Sequence, residues 1–276
     1  MSTLGRIAEI VRGFGRHPTR AAGHLRGLPE ALRAAELCDA WTAGRDAPSE
    51  GPAATSGAAG NPLASYFDAH RTGRGIWKWT HYFEIYHRHL AKFIGSPAHV
   101  VEVGVYSGGS LQMWRHYFGP LCQLYGVDIE PACRAYEDEH TTMAIGDQAD
   151  PDFWTSFAAK VPAVDVLIDD GGHEPEQQMV TLESMLPHLR RGGVYICEDI
   201  HGAANRFAAY ACGLAQRLNT AATAVGDTDL AMTPDPFQRA IHSVHCYPYL
   251  VVIEKSDVPV ERFVAPRHGT EWQPFL

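Results

Sequence analysis

The segment from His99 to Ser110 reads HVVEVGVYSGGS, and it predicts how the central part of the chain folds. Its apolar first half is typical of a buried strand, and Gly104, Gly108 and Gly109 then permit a tight turn into a helix. The start of a helix favours anionic groups, so the turn is a candidate ligand site. Tight packing is an equally good explanation of the glycines, and their spacing is not the GxGxxG of dinucleotide sites.

Predicted strands and predicted helices alternate along the following part of the chain. Further apolar runs predict strands at 123–129, 141–145, 164–168 and 193–197, and helical spacing follows each predicted strand, at 109–118, 131–139, 151–160, 175–190 and 203–219. This alternation is typical of an α/β fold with a doubly wound, mostly parallel sheet. Residues 241–255 differ, because Tyr247-Pro248 divides two apolar runs with no room for a crossover helix. They predict a hairpin that adds one antiparallel strand near the C-terminus.

Polar side chains end the second and third predicted strands. Asp128 ends the second and Asp147-Gln148 the third, at the edge where the carboxyl ends of parallel strands bind ligands. There Asp128 is placed to accept hydrogen bonds from ribose hydroxyls, and Asp147-Gln148 to contact an adenine edge. The alternative is that each acid caps the next helix. Asp150, directly before Pro151, is the better cap, which leaves Asp147 free for a ligand.

The fourth and fifth predicted strands both end on a pair of acids. Asp169-Asp170 follow VDVLI, and Glu198-Asp199 follow GVYIC. Carboxylate oxygens suit Mg²⁺. His173 lies across a Gly-Gly turn from Asp170, so both side chains can face one pocket. Helix capping explains a single acid at such a position, but two acidic pairs and a histidine favour one shared site.

Together these motifs resemble the class I S-adenosylmethionine-dependent methyltransferases, and more narrowly the metal-dependent macrolide and polyketide sugar O-methyltransferases of the mycinamicin and spinosyn rhamnosyl type. The resemblance runs from about Trp77 to the C-terminus. It rests on the segments KWTHYFEIY, VEVGVYSGGSLQMW, YGVDI, GDQADPDF, VLIDDGGHEPEQ, GGVYICEDIH and APRHGTEWQPF. It implies a Rossmann-like sheet of seven strands, of which one near the C-terminus is antiparallel.

The resemblance also implies an activity and a site. The activity is Mg²⁺-dependent transfer of a methyl group from S-adenosylmethionine to a hydroxyl of a sugar, with a glycoside or another diol-bearing small molecule as acceptor. The implied metal ligands are Asp170, Glu198 and Asp199, and the implied general base is His173, since imidazole gains and loses protons near neutral pH. Asp169 is expected near the methionine amino group or in a buried hydrogen bond. The residues expected around the cofactor are Glu102, Gly104, Ser107, Ser110, Asp128, Asp147, Gln148 and Asp169.

Other functions share parts of this pattern. A metal-dependent catechol O-methyltransferase, or an assistant to a tailoring oxygenase, would use the same metal chemistry, because a catechol also offers two adjacent oxygens. A nicotinamide-dependent oxidoreductase would share the sheet and the acid after the second strand. It would leave the paired acids of the fourth and fifth strands without a role.

Composition sets further expectations. The 276 residues carry a net charge of −9, which argues against nucleic acid as a partner. The sequence has no apolar run of 18 residues and no secretory signal, so we expect neither a membrane span nor export. Six cysteines without a CxxC pair are typical of reduced thiols in a cytoplasmic protein.

The first 62 residues lie outside the resemblance. Apolar residues at helical spacing predict a helix there, namely Leu4, Ile7, Ile10, Val11 and Phe14, and the Gly/Ala/Pro/Ser-rich stretch 43–62 predicts a flexible linker. We therefore expect a helical appendage with its linker at 1–62 and the methyltransferase domain at 63–276. An apolar helix face usually needs a surface to cover, so we also expect a homo-oligomer, a dimer at least.

Three histidines lie close together just before the first strand. His81, His87 and His89 fall within WKWTHYFEIYHRHLAKF, whose apolar residues have helical spacing. The spacing of the three does not strongly support a metal site, and an apolar stripe like this is more often core packing than a ligand set. Core packing is therefore the expected role of this segment.

Overall fold

The computed structural model describes residues 3–43, 60–202, 205–220, 223–225 and 228–271. The chain divides into two compact units, Met1–Thr55 and Ser56–Leu276. Within the described residues no helix is long and apolar enough to cross a membrane.

The N-terminal unit contains three helices, α1 (Thr3–Arg16), α2 (Pro18–Arg26) and α3 (Leu28–Ala43). Helix α1 is the one that the apolar spacing predicts. Large apolar side chains of this unit are exposed, among them Ile7, Ile10, Val11, Leu25, Leu32 and Leu37. That these faces form contacts between subunits stays a prediction. Most of the predicted linker lies outside the described residues.

The second unit is built on strands. Their bounds are β1 (His99–Val103), β2 (Gln123–Asp128), β3 (Thr141–Ile145), β4 (Val164–Asp169), β5 (Leu189–Cys197), β6 (Thr223–Val225), β7 (Thr228–Thr233), β8 (Ile241–Tyr247), β9 (Leu250–Lys255) and β10 (Phe263–Val264). Seven of them form one sheet in the order β3-β2-β1-β4-β5-β9-β8. Strands β1 to β5 are parallel, and β9 runs antiparallel to both of its neighbours, β5 and β8. The predicted seven-stranded Rossmann-like sheet with one reversed strand is confirmed.

Helices cover both faces of this sheet. They are α4 (Pro62–Ala69), α5 (Tyr82–Leu90), α6 (Gly109–Phe118), α7 (Pro151–Ala158), α8 (Pro175–Met185), α9 (Arg206–Thr220) and α10 (Pro236–Ala240). Side chains alternate between the faces along each strand. In β4, Val166 and Ile168 pack into the core beneath α4, α5 and α6, whereas Leu167 packs into the core beneath α7, α8 and α9.

Three features differ from the sequence-based expectation. The helix predicted at 175–190 ends at Met185, because β5 already begins at Leu189. The predicted helix at 131–139 is a short 3₁₀ helix, Pro131–Tyr136, because the backbone is extended at Glu137 and Asp138 N–H donates to Thr141 O in the turn that leads into β3. Strands β6, β7 and β10 form a second, antiparallel sheet that the sequence pattern does not predict. Its strands are short, so their alternation is weak.

Backbone hydrogen bonds continue past the strand ends and draw the following residues together. Gly104 N–H donates to Val127 O, and Asp170 N–H donates to Val103 O. Gly104 has φ +84°, and a Cβ there would lie 2.0 Å from Asp170 O. Only glycine fits this position, and the close approach sets the turn after β1 directly against the turn after β4.

Candidate active site

A cavity of about 840 Å³ lies at the carboxyl ends of the parallel strands. All but two of the predicted site residues line it, namely Gly104, Ser107, Ser110, Asp128, Asp147, Gln148, Asp170, His173, Glu198 and Asp199. The size is that of a pocket for a small molecule or cofactor. The fold therefore brings the candidate cofactor residues and the candidate metal residues to one continuous space.

Glu102 is one of the two predicted residues that do not line the cavity. It is buried behind the wall, where its carboxylate accepts hydrogen bonds from Ser110 Oγ and Trp114 Nε1, both at 2.8 Å. Burial raises the pKa of Glu102 to about 7. Its contacts tie the end of β1 to helix α6, so in this structure it supports the site from behind.

Asp169 is the other. It is buried and accepts hydrogen bonds from Gln148 Nε2 and Tyr195 OH, each at 3.0 Å. Burial raises the pKa of Asp169 to about 6. Of its two predicted roles, the structure shows the buried hydrogen bond.

Asp128 lines the cavity and also shapes its wall. Oδ2 accepts hydrogen bonds from the backbone N–H groups of Val105 and Tyr106, and Oδ1 accepts one from that of Glu130. The glycine-rich turn is thus held against the end of β2 by this carboxylate.

Asp147 and Gln148 follow β3 as predicted, but they differ in how free they are. Asp147 uses Oδ1 to accept from the Ala149 N–H. The Gln148 amide donates to Asp169 and Thr181 and accepts from the Gly172 N–H, so its polar groups are already engaged within the protein. Contact of Gln148 with an adenine edge would require it to give up one of these bonds. Asp150 caps α7, as expected from its place before Pro151.

Three side chains gather at the other end of the cavity. Ligand atoms of Asp170, His173 and Asp199 all lie within 4.8 Å of one another. His173 Nε2 is 3.7 Å from Asp199 Oδ2, and His173 Nδ1 is buried without a hydrogen-bond partner. His173 and Asp199 have φ of +58° and +55°, a conformation that costs energy in residues other than glycine. Such strain is typical of functional sites.

Two side chains from the α5 region orient Asp199. Tyr82 OH donates to Asp199 Oδ1 at 2.8 Å, and Trp79 Nε1 donates to the same oxygen at 3.0 Å. Oδ1 is therefore occupied, and Oδ2 is the oxygen that faces His173. The aromatic run before β1 thus contributes to the site as well as to the core.

Lys78 is a site residue that the sequence analysis missed. Its Nζ is 2.5 Å from Asp170 Oδ2, 3.0 Å from Glu198 Oε2 and 3.9 Å from Glu102 Oε1, and its side chain is 2% exposed. Burial alone would lower the pKa of Lys78, but the surrounding carboxylates outweigh burial and raise it. The sequence did contain a signal, because Lys78 lies within an aromatic run. A lysine that is buried with such a run requires an acidic partner.

Glu198 is buried next to the cluster of Asp170, His173 and Asp199. Both of its oxygens contact Lys78 Nζ, at 3.0 and 3.1 Å. Burial and the carboxylate of Asp170 raise the pKa of Glu198, and the ammonium of Lys78 opposes that rise. The short contacts of Lys78 Nζ to both oxygens are those of a charged pair.

The donor set fits a divalent cation. The carboxylates of Asp170 and Glu198 share the ammonium of Lys78, and Asp199 adds a further carboxylate to the same cavity, which leaves an excess of negative charge at its edge. A divalent ion with oxygen ligands would balance that excess. The residues that could hold it without rearrangement are Asp170 and Asp199, with His173 within reach.

A known protein family matches the part of the chain that carries these residues. A family model described as a methyltransferase domain matches residues 101–200, from β1 to beyond the end of β5. Residues 101–200 of this chain are therefore similar to a methyltransferase domain. The matched range contains every predicted site residue.

The chain is similar to O-methyltransferases of two Streptomyces species. Demethylmacrocin O-methyltransferase of Streptomyces fradiae is 36% identical over 147 residues, 51% of this chain and 36% of that protein. 8-Demethyl-8-alpha-L-rhamnosyl tetracenomycin-C 2'-O-methyltransferase of Streptomyces olivaceus is 32% identical over 202 residues, 67% of this chain and 53% of that protein. The matches therefore span at most about half the length of these relatives.

A solved structure shares the fold of the methyltransferase domain. It is MycE methyltransferase from the Mycinamycin biosynthetic pathway in complex with Mg, SAH and Mycinamycin VI. It aligns with a TM-score of 0.58 at 25% identity and covers 71% of this chain and 53% of that chain.

Proposed function

We propose that this protein is an Mg²⁺-dependent O-methyltransferase that moves a methyl group from S-adenosylmethionine to a hydroxyl of a sugar on a natural product. The names of the two relatives and the contents of the MycE complex support the reaction class and the cofactors. The observation that carries the proposal is the single cavity, which joins the glycine-rich turn to the cluster of Asp170, His173 and Asp199.

The two ends of the cavity have different tasks. Bound there, S-adenosylmethionine supplies the methyl group and Mg²⁺ lowers the pKa of an acceptor hydroxyl. The turn that follows β1, with Ser107, and the acids Asp128 and Asp147 line the nucleoside end. Asp170 and Asp199 line the cation end and would hold Mg²⁺. Glu198 would be a third ligand.

His173 removes the proton of the acceptor. Its Nε2 faces the cavity beside Asp199 Oδ2, and it takes the hydroxyl proton as the new C–O bond forms and the C–S bond of the donor breaks. Asp199 then stabilises the imidazolium, which releases the proton to solvent. The positions of these groups supply much of the rate, because in-line methyl transfer depends on alignment.

The rim of the cavity is suited to a bulky acceptor. Trp77, Trp79 and Tyr106 line the cavity and are 89%, 50% and 79% exposed. Large exposed apolar side chains around a pocket are typical of a binding surface. They offer flat apolar faces to the sugar or to the aglycone that carries it.

The proposal is tested by incubation of the protein with S-adenosylmethionine, Mg²⁺ and a panel of deoxysugar glycosides and catechols. We expect a gain of one methyl group on a glycoside, seen by mass spectrometry. If only the catechols were methylated, the acceptor would be a catechol and not a sugar. Methylation of neither class, with S-adenosylhomocysteine binding shown by calorimetry, would refute the proposed acceptor.

A further inference from the structure

A second cluster of metal-ligating side chains lies between helix α5 and the hairpin of β8 and β9. Ligand atoms of His89, His245 and Glu254 lie within 4.8 Å of one another. His89 Nδ1 is 3.1 Å from Glu254 Oε1, and His245 Nε2 is 3.6 Å from Glu254 Oε2. None of the three lines the active-site cavity.

These distances fit tetrahedral coordination. Zinc binds imidazole nitrogen and carboxylate oxygen at about 2.0–2.2 Å, so neighbouring ligands in a tetrahedron lie about 3.3–3.6 Å apart. The two measured separations are close to this range without any change of backbone. Two histidines and one glutamate are a common zinc ligand set, and water completes it.

The surroundings also resemble those of a metal site. His89 Nε2 is 3.0 Å from Tyr247 OH, a contact that leaves Nδ1 as the ligand atom. Ser243 Oγ donates to Glu254 Oε2, which orients that carboxylate, and lies 2.9 Å from His245 Nε2, so the ion would replace the contact between Ser243 and the imidazole. His89 is buried, whereas His245 is partly exposed, so an ion can enter from solvent.

We propose that His89, His245 and Glu254 form a second metal site, which takes a zinc-class transition-metal ion and is separate from the Mg²⁺ site. The ion competes with Lys92, whose Nζ lies 4.0 Å from Glu254 Oε1. Lys92 is 44% exposed on its side chain and can turn towards solvent.

The site would brace the structure around the acceptor pocket. The first residue of α5, Tyr82, holds Asp199 and also donates to Tyr249 O in the turn between β8 and β9. The ion would clamp the last turn of the same helix to the same hairpin. The expected role is therefore structural, with little direct effect on the methyl transfer.

The test is a titration of the full chain with Co²⁺ in the presence of excess Mg²⁺, followed by visible absorption. Co²⁺ reports a tetrahedral nitrogen and oxygen site by its d–d bands. We expect one equivalent to bind, and Zn²⁺ to abolish the signal and to raise the melting temperature by about 5 °C at about 100 times the dissociation constant.

Variants assign the signal. His245→Gln and Glu254→Gln change accessible side chains and should lose the bands while keeping the circular dichroism of the wild type. His87→Gln is the matched control, because His87 lies on the same helix and bonds to Tyr117 instead. Asp199→Asn should keep the bands.

Three outcomes would overturn the proposal. They are no tetrahedral bands at millimolar Co²⁺, bands that persist in His245→Gln, and bands that disappear in Asp199→Asn. The first would show that the cluster is only a hydrogen-bonded network, and the last that the ion binds in the active site. The readout requires no turnover, so it is independent of the proposed methyl transfer.

Discussion

Two clusters of three potential metal ligands lie among the described residues of this domain, and they are built in different ways. Asp170, His173 and Asp199 follow neighbouring parallel strands and line a large open cavity. The other cluster joins a helix to an antiparallel hairpin. The first contains two residues with positive φ, whereas none of the second has one.

Their counter-ions differ as well. Lys78 is buried among the carboxylates of the first cluster, whereas Lys92 lies at the half-exposed border of the second. The first cluster has a strained backbone, several charges and access to the cavity, which suits a catalytic role. The side chains of the second cluster are held by hydrogen bonds and ion pairs within the protein, which suits a structural role. The surroundings of a set of potential ligands, more than the ligands themselves, therefore decide the role of that set.

The largest expected effect separates the two clusters by activity. Asp170→Asn should lower turnover by about 10³-fold or more, because the cation that activates the hydroxyl loses a ligand. Glu254→Gln should leave turnover near the wild-type rate. EDTA should abolish wild-type turnover and Mg²⁺ should restore it. Full activity after dialysis against EDTA would contradict the metal mechanism.

His173 provides the next comparison. His173→Ala should lower turnover by about 10²–10⁴-fold, the usual contribution of a positioned general base. His245→Gln is its control in the other cluster and should stay active. Calorimetry with Mg²⁺ decides the role of the imidazole. Unchanged Mg²⁺ affinity fits a base, and a large loss of affinity would make His173 a ligand.

The two lysines sharpen the electrostatic contrast. Lys78→Met removes the counter-ion of buried Asp170 and Glu198 and should lower the free energy of unfolding by about 3–5 kcal/mol. Lys92→Met should change it by less than about 1 kcal/mol, since solvent screens that pair. Urea unfolding measures both. If Glu198 is a metal ligand, Mg²⁺ should recover part of the stability of Lys78→Met. Equal effects of the two substitutions would remove the distinction.

The smallest expected effect is a difference in the pH dependence of stability at Asp169. Burial raises the pKa of this carboxyl from 3.8 to about 6, so the folded state holds its proton more tightly than the unfolded state. Its contribution is complete below about pH 4 and is lost as the pH rises through 6. The free energy of unfolding of Asp169→Asn should therefore rise relative to that of the wild type as the pH increases from about 4. The gain should approach about 3 kcal/mol above pH 6.

Glu254 should show the opposite sign. Its hydrogen bond from His89 lowers the pKa of Glu254 to about 2, so its contribution is present above about pH 4.5 and is lost as the pH falls towards 2. Glu254→Gln should be less stable than wild type at pH 7, and the difference should shrink in acid. Urea unfolding in metal-free buffer at several pH values checks both variants. If the stability difference from the wild type changed with pH in the same direction for both variants, this account would be refuted.

Much of the fold and part of the site followed from local pattern. The alternation of strands and helices predicted the sheet, and the tyrosine-proline break at Tyr247-Pro248 predicted the reversed strand. Asp170, His173 and Asp199 were predicted together because parallel strands end at one edge of a sheet. Lys78 was missed because its partners lie 24, 92 and 120 residues away, and only the folded chain brings them to one point.

Local pattern was enough to place the strands along the chain and to show at which edge of the sheet the acids collect, because periodicity and strand direction are local properties. How those acids are used was set by the tertiary structure. Glu102 and Asp169 face inwards, Glu198 pairs with Lys78, and Asp199 is held by Tyr82. It also brought His89 to His245 and Glu254 from opposite ends of the domain. These outcomes depend on packing between distant elements, where burial and the nearest opposite charge set the state of each group.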